Sequence, residues 1–346
     1  MSSKVREQGE RARRLILESV DAHSTDLVSH VVNKLAISRQ AVNKHLLKLK
    51  EQAALINEGT SRAPRYRLAA LMSHNQSYPI RPGLSEDIVW TLHIKPNLAH
   101  LPANVLLIWN HGFTEMFNNA IDHSGGTQIN VSIRKMAVTT EIVVSDDGVG
   151  IFRKIQQELD LLDERHALFE LSKGKLTTAP KHHSGEGIFF TSRMFDRFSI
   201  LAGGLFFDHK REGRTHADWL LPHDKLLAGT TVMMELKNNT ARTTKKVFDE
   251  FSSGDDYGFT KTVVPVSLAK YSMEELVSRS QAKRLLARVH LFKTVIFDFT
   301  DVDAVGQAFA DQIFRVFAND HPDIQLLPIH MSKSVADMVH RALSRG

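Results

Sequence analysis

At 346 residues the chain is long enough for two or three domains, each with its own core. Hydrophobic residues make up 42% and charged residues 24%, no apolar run approaches the roughly 20 residues that cross a bilayer, and Met1–Glu10 carries no apolar signal core, so a cytoplasmic protein without a membrane partner is expected. Cysteine is absent, excluding disulfides, thiolate zinc sites and cysteine nucleophiles, and the net charge of +5 is uneven: residues 1–72 hold 13 Lys plus Arg against 7 Asp plus Glu, a surplus of +6, leaving −1 for the rest.

The basic segment, residues 1–72, reads as helices followed by a short hairpin. Leu15, Ile16 and Val20 are spaced for the buried face of a first helix. Leu27, Val28, Val31, Val32 and Leu35 give a second, with Ser24 or Thr25 as its cap. After the turn at Ala36-Ile37, Ser38 caps a third helix that turns Val42, Leu46 and Leu49 inward. Helix, turn, helix is the arrangement that places a second helix in a major groove. Arg39, Gln40, Asn43 and Lys44 face outward near its start, residue types that pair with guanine and adenine edges. Leu55–Asn57 and Tyr66–Leu68 read as two strands with Arg62 and Arg65 at the tip between them. This segment resembles winged-helix regulators, whose basic wing lies along phosphate. The resemblance implies binding to a double-stranded DNA operator, with a homodimer as one possible form. The same surface could serve protein contacts, but the basic surplus favours DNA.

Residues 73–83 hold two prolines and a glycine among polar residues and read as a linker. Residues 84–238 carry three short motifs in order. Glu115 and Asn119, four apart on an apolar helix, leave one face together, a carboxylate beside a carboxamide suited to a hard cation and an activated water. Ser145-Asp146-Asp147-Gly148-Val149-Gly150 closes an alternating strand, where glycines let backbone approach a flat ligand. His182-His183-Ser184-Gly185-Glu186-Gly187 precedes an amphipathic helix, a place for phosphate at exposed N–H groups. Gly229-Thr230 opens a late strand. No H-E-x-x-H or comparable spacing supports a transition metal.

Together these motifs resemble the Bergerat-fold ATPase superfamily of gyrase B, MutL, histidine kinases and anti-sigma-factor kinases. The resemblance implies ATP and Mg²⁺ as ligands. Asn119 would hold Mg²⁺, Asp146 would accept the adenine amino group, and Gly148 and Gly150 would shape the pocket floor. Gly185 and Gly187 would cradle phosphate, Thr230 would support the adenine side, and Glu115 would orient or deprotonate the nucleophile. Residues 152–184 would form a lid, where Lys173, Lys175, Lys181, His182 and His183 could meet phosphate or simply lie on an exposed loop. No phosphoacceptor helical hairpin precedes this segment, and no second catalytic domain with a lysine reaching ATP is found, so the compact anti-sigma-factor kinases are nearest.

Residues 239–258 read as a second polar linker, and 259–346 as a β-α-β-α-β-α domain. Its strands are expected at Thr262–Ala269, Thr294–Thr300 and Ile324–Ile329, and its helices at Met273–His290, Gly306–Asn319 and Ser334–Leu343. It resembles STAS domains, more closely the STAS-like domains fused behind Bergerat ATPases in bacterial proteins. Asp303 and Gly306 match the ends of the D-S-S-G loop, but Ala304 and Val305 replace its serines. The whole reads as an α+β multidomain chain: winged helix, Bergerat α/β sandwich, STAS-like α/β domain. The function expected is an ATP-binding, DNA-binding transcriptional regulator whose STAS-like domain meets a protein partner. The alternative is an ATP-hydrolysing or protein-phosphorylating effector, in partner switching, stress or phage defence.

Overall fold

The computed structural model describes residues 3–60, 62–176, 185–212, 215–252, 258–270 and 275–344. They form a mixed α/β chain of two compact units. One comprises residues 1–76, 131–143 and 235–240, and the other residues 77–130, 144–234 and 241–346.

In the first unit, α1 (Ser3–Ser19), α2 (Leu27–Leu35) and α3 (Arg39–Glu51) precede an antiparallel hairpin of β1 (Leu55–Asn57) and β2 (Tyr66–Leu68). Ile16, Val20, Leu27, Val31, Val42, Leu46 and Leu49 close one core, on which Met136, Ala137 and Val138 also pack. Ser38 caps α3, its hydroxyl accepting from the Ala41 N–H at 3.2 Å. The expected caps of α2, Ser24 and Thr25, do not serve. Asp26 is the N-cap and makes no side-chain cap bond, since its carboxylate lies 3.1 Å from His23 Nδ1 instead.

A five-stranded sheet follows the order β3-β4-β5-β7-β6: β3 (Met72–Pro79), β4 (Gln128–Lys135), β5 (Thr139–Asp146), β6 (Arg197–Glu212) and β7 (Thr215–Lys237). The stretch from Met72 to Pro79, read from sequence mostly as linker, is therefore a strand. It sits at the sheet edge with only Tyr78 buried, so its polar side chains face water while its backbone pairs with β4, and its composition mimics a loop. In β5, Thr140, Ile142, Val144 and Asp146 alternate onto the buried face. That period carries one carboxylate into the interior.

Helices of the second unit are α4 (Glu86–Val89), running through a π-turn at Trp90–Ile94 into α5 (Lys95–Leu98), then α6 (Ala103–His123), α7 (Ile151–Glu158), α8 (Glu164–Lys173), α9 (Gly187–Met194) and α10 (Thr244–Phe251). The buried stripe of α6, including Ile108, Trp109, Phe113, Met116 and Phe117, anchors the layer on the sheet. Phe113→Ala would cost about 3–5 kcal/mol, since Phe113 is fully buried. Residues 239–258, expected as linker, contain α10. Thr243 caps that helix, accepting from the Lys246 N–H, and Val247 and Phe251 are buried.

The C-terminal part of the same unit holds a parallel three-stranded sheet, order β10-β9-β8, of β8 (Lys261–Pro265), β9 (Thr294–Asp298) and β10 (Gln325–Ile329). Around it lie α11 (Arg279–Leu286), α12 (Gln307–Asp311), a π-turn at Gln312–Phe317, α13 (Ala318–Asp320) and α14 (Lys333–Leu343). The expected strand to Ala269 stops at Pro265, which lacks an N–H, and gives way to a 3₁₀ turn over Val266–Ala269. The expected helix from Met273 begins only at Arg279, because Ser278 and Gln281 form a capping box there and Leu276 bridges Val305. Residues 271–274 lie outside the described set. Among the described residues, no helix is long and apolar enough to cross a membrane.

Candidate functional site

A cavity of about 380 Å³ opens in the second unit between α6, the end of β5, α7, α9 and α10. Glu115, Asn119, Asp146, Gly185, Gly187 and Thr230, which are dispersed along the sequence, all line it. Four side chains on α6, His111, Glu115, Asn119 and His123, recur every fourth residue, so a single helical stripe faces the space. Gly187 begins α9 directly over Glu115: a Cβ there would lie 2.0 Å from Glu115 Oε2. Backbone thus meets carboxylate where any larger residue would hold them apart.

Asp146 ends β5 on its buried face and is 8% exposed. Its Oδ1 accepts from the backbone N–H of Gly148 at 2.9 Å and of Thr230 at 3.2 Å. Burial pushes its pKa up, and those two hydrogen bonds resist the shift. The neighbouring Asp147 has the opposite surroundings. Exposed, it accepts from the Thr127 hydroxyl and from the Thr127 and Gln128 N–H groups, which lower its pKa to about 2. One aspartate therefore faces the cavity and the other clasps a turn.

The glycines of this loop are spaced by close approach. A Cβ on Gly148 would lie 2.1 Å from the Ser124 carbonyl oxygen, and one on Gly150 would lie 3.2 Å from the Gly229 carbonyl oxygen. Neither Gly148 nor Gly150 is among the lining residues; they hold the floor from behind. Thr230 joins the two sides, its hydroxyl accepting from the Ile151 N–H at 3.0 Å.

Apolar side chains complete the lining. Among them are Leu171, Leu176, Ile188, Phe190 and Phe248, with the Phe190 and Phe248 rings 4.3 Å apart. His111 packs edge-on against Phe248 with centroids 5.7 Å apart, and burial lowers its pKa, favouring the neutral ring. His111, Lys154, Glu186 and these apolar residues join the site without having been expected there from sequence. His111 was findable, standing four residues before Glu115; Leu171, Leu176 and Phe248 carry no sequence signal.

The expected lid is partly helical. Residues 152–176 form most of α7 and all of α8, while Lys181, His182 and His183 lie outside the described residues. Lys173, expected to meet phosphate or lie exposed, does neither: it is 1% exposed and its ammonium lies 2.6 Å from Glu170 Oε1. Lys175 Nζ donates to the Leu291 carbonyl at 2.9 Å.

In the first unit, Arg39, Gln40, Asn43, Lys44, Arg62 and Arg65 are all exposed. Arg39 donates to the Ser29 hydroxyl at 3.1 Å, and Asn57 Oδ1 stiffens the hairpin loop by accepting from the Gly59 and Arg65 N–H groups. Arg67, which the sequence reading left out, is ion-paired with Glu58 at 2.7 Å.

The C-terminal sheet carries the conclusion that comparison supports. The family described as a STAS-like domain of unknown function (DUF4325) matches residues 281–336, from α11 through β9 and β10 into α14. No curated protein matches the chain. The C-terminal domain is STAS-like. Ser332, the N-cap of α14, donates to the Asp303 carbonyl in the loop after β9 at 2.6 Å, and the Thr300 hydroxyl in that loop donates to Asp298 at 2.7 Å.

Proposed function

We propose that the chain is a cytoplasmic, ATP-binding and DNA-binding transcriptional regulator, in which Mg²⁺–ATP occupancy of the cavity is coupled to the STAS-like domain and to the N-terminal helices. The observation that carries the reading is the convergence of Glu115, Asn119, Asp146, Gly185, Gly187 and Thr230 on one cavity; their roles are those the Bergerat resemblance implies. About 380 Å³ is within the range of small-molecule sites, and a mixed polar and apolar lining suits a nucleotide. With Asp146 Oδ1 held by backbone, Oδ2 would meet the adenine amino group. Asn119 would hold Mg²⁺ through its side-chain oxygen. Bound there, the cation would offset phosphate charge. This chain's own part is to orient the nucleotide between Asp146 and the N-terminus of α9.

The DNA-binding part of the reading rests on the first unit: three helices and an antiparallel hairpin, a capped third helix with Arg39, Gln40, Asn43 and Lys44 exposed, and Arg62 and Arg65 exposed in the hairpin loop. Calorimetric titration of Mg²⁺–ATP into wild type, D146N and N119A tests the nucleotide site. Binding by wild type and its loss in both variants is expected; no heat at millimolar ATP in wild type refutes the reading. Operator affinity with and without ATP at fixed salt tests the coupling, and equal values refute it.

One observation favours a second reading, an ATP-hydrolysing or protein-phosphorylating effector: Glu115 lies in the cavity one helical turn from Asn119, where it could act as a base. Steady turnover or transfer of labelled phosphate, abolished in E115A, would establish it. A regulator that only senses nucleotide keeps its DNA response in that variant.

A further inference from the structure

The wall formed by Leu171 and Leu176 has two sides. One faces the cavity. The other is held by residues of the C-terminal part of the same unit. The Lys173 ammonium, buried and paired with Glu170, donates to the Ala287 carbonyl at 2.9 Å and to the Arg284 carbonyl at 3.3 Å, closing the end of α11. Thr262 on β8 donates to the Lys173 carbonyl at 2.6 Å, Lys175 donates to the Leu291 carbonyl, and Arg288 donates back to the Lys175 carbonyl. The Lys175 ammonium also stands 4.8 Å from the Phe292 ring centroid. Within residues 171–176, Leu171 and Leu176 line the cavity while Lys173 and Lys175 between them make the hydrogen bonds to the C-terminal part.

The same segment reaches the phosphate-type loop. A Cβ on Gly185 would sit 2.4 Å from the Leu176 carbonyl, so the position of Leu176 fixes where Gly185 and the start of α9 lie. A shift of residues 171–176 cannot leave the cavity unchanged, because packed interiors do not deform continuously.

We infer that Lys173 and Lys175 are positioning residues of a clamp between the nucleotide cavity and the STAS-like domain: they lock residues 171–176 onto the Arg284–Leu291 carbonyls, so that nucleotide affinity depends on that docking and nucleotide in turn stabilises it. The inference rests on the reading of the cavity as a nucleotide site. Coupling of this kind is reciprocal, since a ligand favours whichever arrangement it binds more tightly. Docking of the segment is a property of hydrogen bonds to backbone carbonyls, so a partner that draws α11 away would loosen the cavity without touching ATP.

The test uses the full-length chain as wild type, K173M, K175A and D146N, with Mg²⁺–ATP as the probe. The readouts are affinity by calorimetry and amide exchange at residues 171–176 and 284–291. K173M and K175A are expected to weaken ATP by roughly fivefold or more, within the 5–150-fold of ordinary allosteric coupling, with β4 and β5 exchanging as in wild type. ATP is expected to slow exchange at 284–291 in wild type and not in D146N. Wild-type affinity in both lysine variants, or exchange at 284–291 indifferent to ATP in a wild type that binds it, overturns the inference. Should K173M fail to fold, K175A, whose lysine is not fully buried, decides the affinity comparison. A wild type that binds no ATP sinks the nucleotide reading alone. In that event ligand-free exchange decides the clamp: faster exchange at 171–176 and 284–291 in K175A supports it, and unchanged exchange overturns it.

Discussion

If the cavity takes a nucleotide as proposed, replacing Gly229 by alanine should damage both folding and nucleotide binding. Gly229 has φ +74°, and a Cβ there would stand 1.9 Å from the Asp146 carbonyl oxygen. The left-handed backbone alone costs an L-residue about 1–2 kcal/mol. Real Cβ contacts stay beyond 3.0 Å, so the two strands must also part by about 1 Å at the residue whose carboxylate faces the cavity. That movement strains the Thr230 N–H bond to Asp146, a further loss of about 1 kcal/mol. The sum, about 2–3 kcal/mol, is a drop of roughly 30- to 140-fold in the folding equilibrium. Urea denaturation measures it, and calorimetry on the folded variant measures ATP. Gly83 supplies the control: its φ is +88° but nothing lies within 4 Å of the added Cβ, so Gly83→Ala should show the backbone cost of about 1–2 kcal/mol and leave ATP affinity intact. If the two alanines are equally destabilised, or if Gly229→Ala binds ATP like wild type, the close approach does not govern the site.

Asp146→Asn should leave the ligand-free protein as stable as wild type or more so while abolishing ATP binding, because burial penalises the ionised carboxylate and an amide oxygen still accepts from Gly148 and Thr230; thermal unfolding without nucleotide reads this. The linkage has a definite sign. With its pKa raised when folded, Asp146 binds a proton more tightly in the native state, so its contribution to stability grows as pH falls through that raised value towards 3.8, and the difference between wild type and D146N narrows over that window. If the first unit binds DNA as proposed, Arg62→Ala and Arg65→Ala should each weaken binding by a similar factor on every sequence and lower the salt slope by about 1, whereas Asn43→Ala should relax preference at one base pair; titrations at several salt concentrations separate the two behaviours. Lys173 has its pKa lowered to about 8 by burial against the pull of Glu170, so the native state holds fewer protons than the unfolded chain between about 8 and 10.5, and this group's penalty on stability should ease as pH rises through that window; urea midpoints of wild type and K173M across it would show the difference.

Elements with a strong period were legible in the sequence, and the places where the reading slipped share a cause. The apolar stripes of α2, α3 and α6 announced themselves, and Glu115 with Asn119 could be placed on one face by counting. β3 and α10 were not legible, because an edge strand and a short amphipathic helix bury few residues: Tyr78 in the first, Val247 and Phe251 in the second. Lys173 misled for a different reason. A lysine beside a glycine in a polar stretch reads as exposed, and only the carbonyls of Arg284 and Ala287, more than a hundred residues away, explain why it is buried. Asp146 and Asp147 could not have been told apart by type. What separates them is strand parity, which turns one inward, and Thr127, which captures the other.

The two walls of the cavity depend on different parts of the chain, and the proposed regulation follows from that division. Asp146, Val144, Thr230 and Val232 stand on paired strands, whose register holds them whatever the C-terminal sheet does. Leu171, Leu176, Phe190 and Phe248 belong to short helices and their connections, held by the Phe189, Phe190 and Phe259 cluster and by hydrogen bonds to the C-terminal end of α11. A ligand that touches only the first wall would bind alike in docked and undocked chains and could report nothing. A nucleotide bound as proposed, from Asp146 to the N-terminus of α9, would touch both. Its affinity then contains the free energy of arranging the second wall, and any partner of the STAS-like domain that shifts α11 changes that free energy by the same amount. Loss of the C-terminal contacts should therefore weaken a nucleotide that spans both walls far more than adenosine, which ends before the phosphate-type loop.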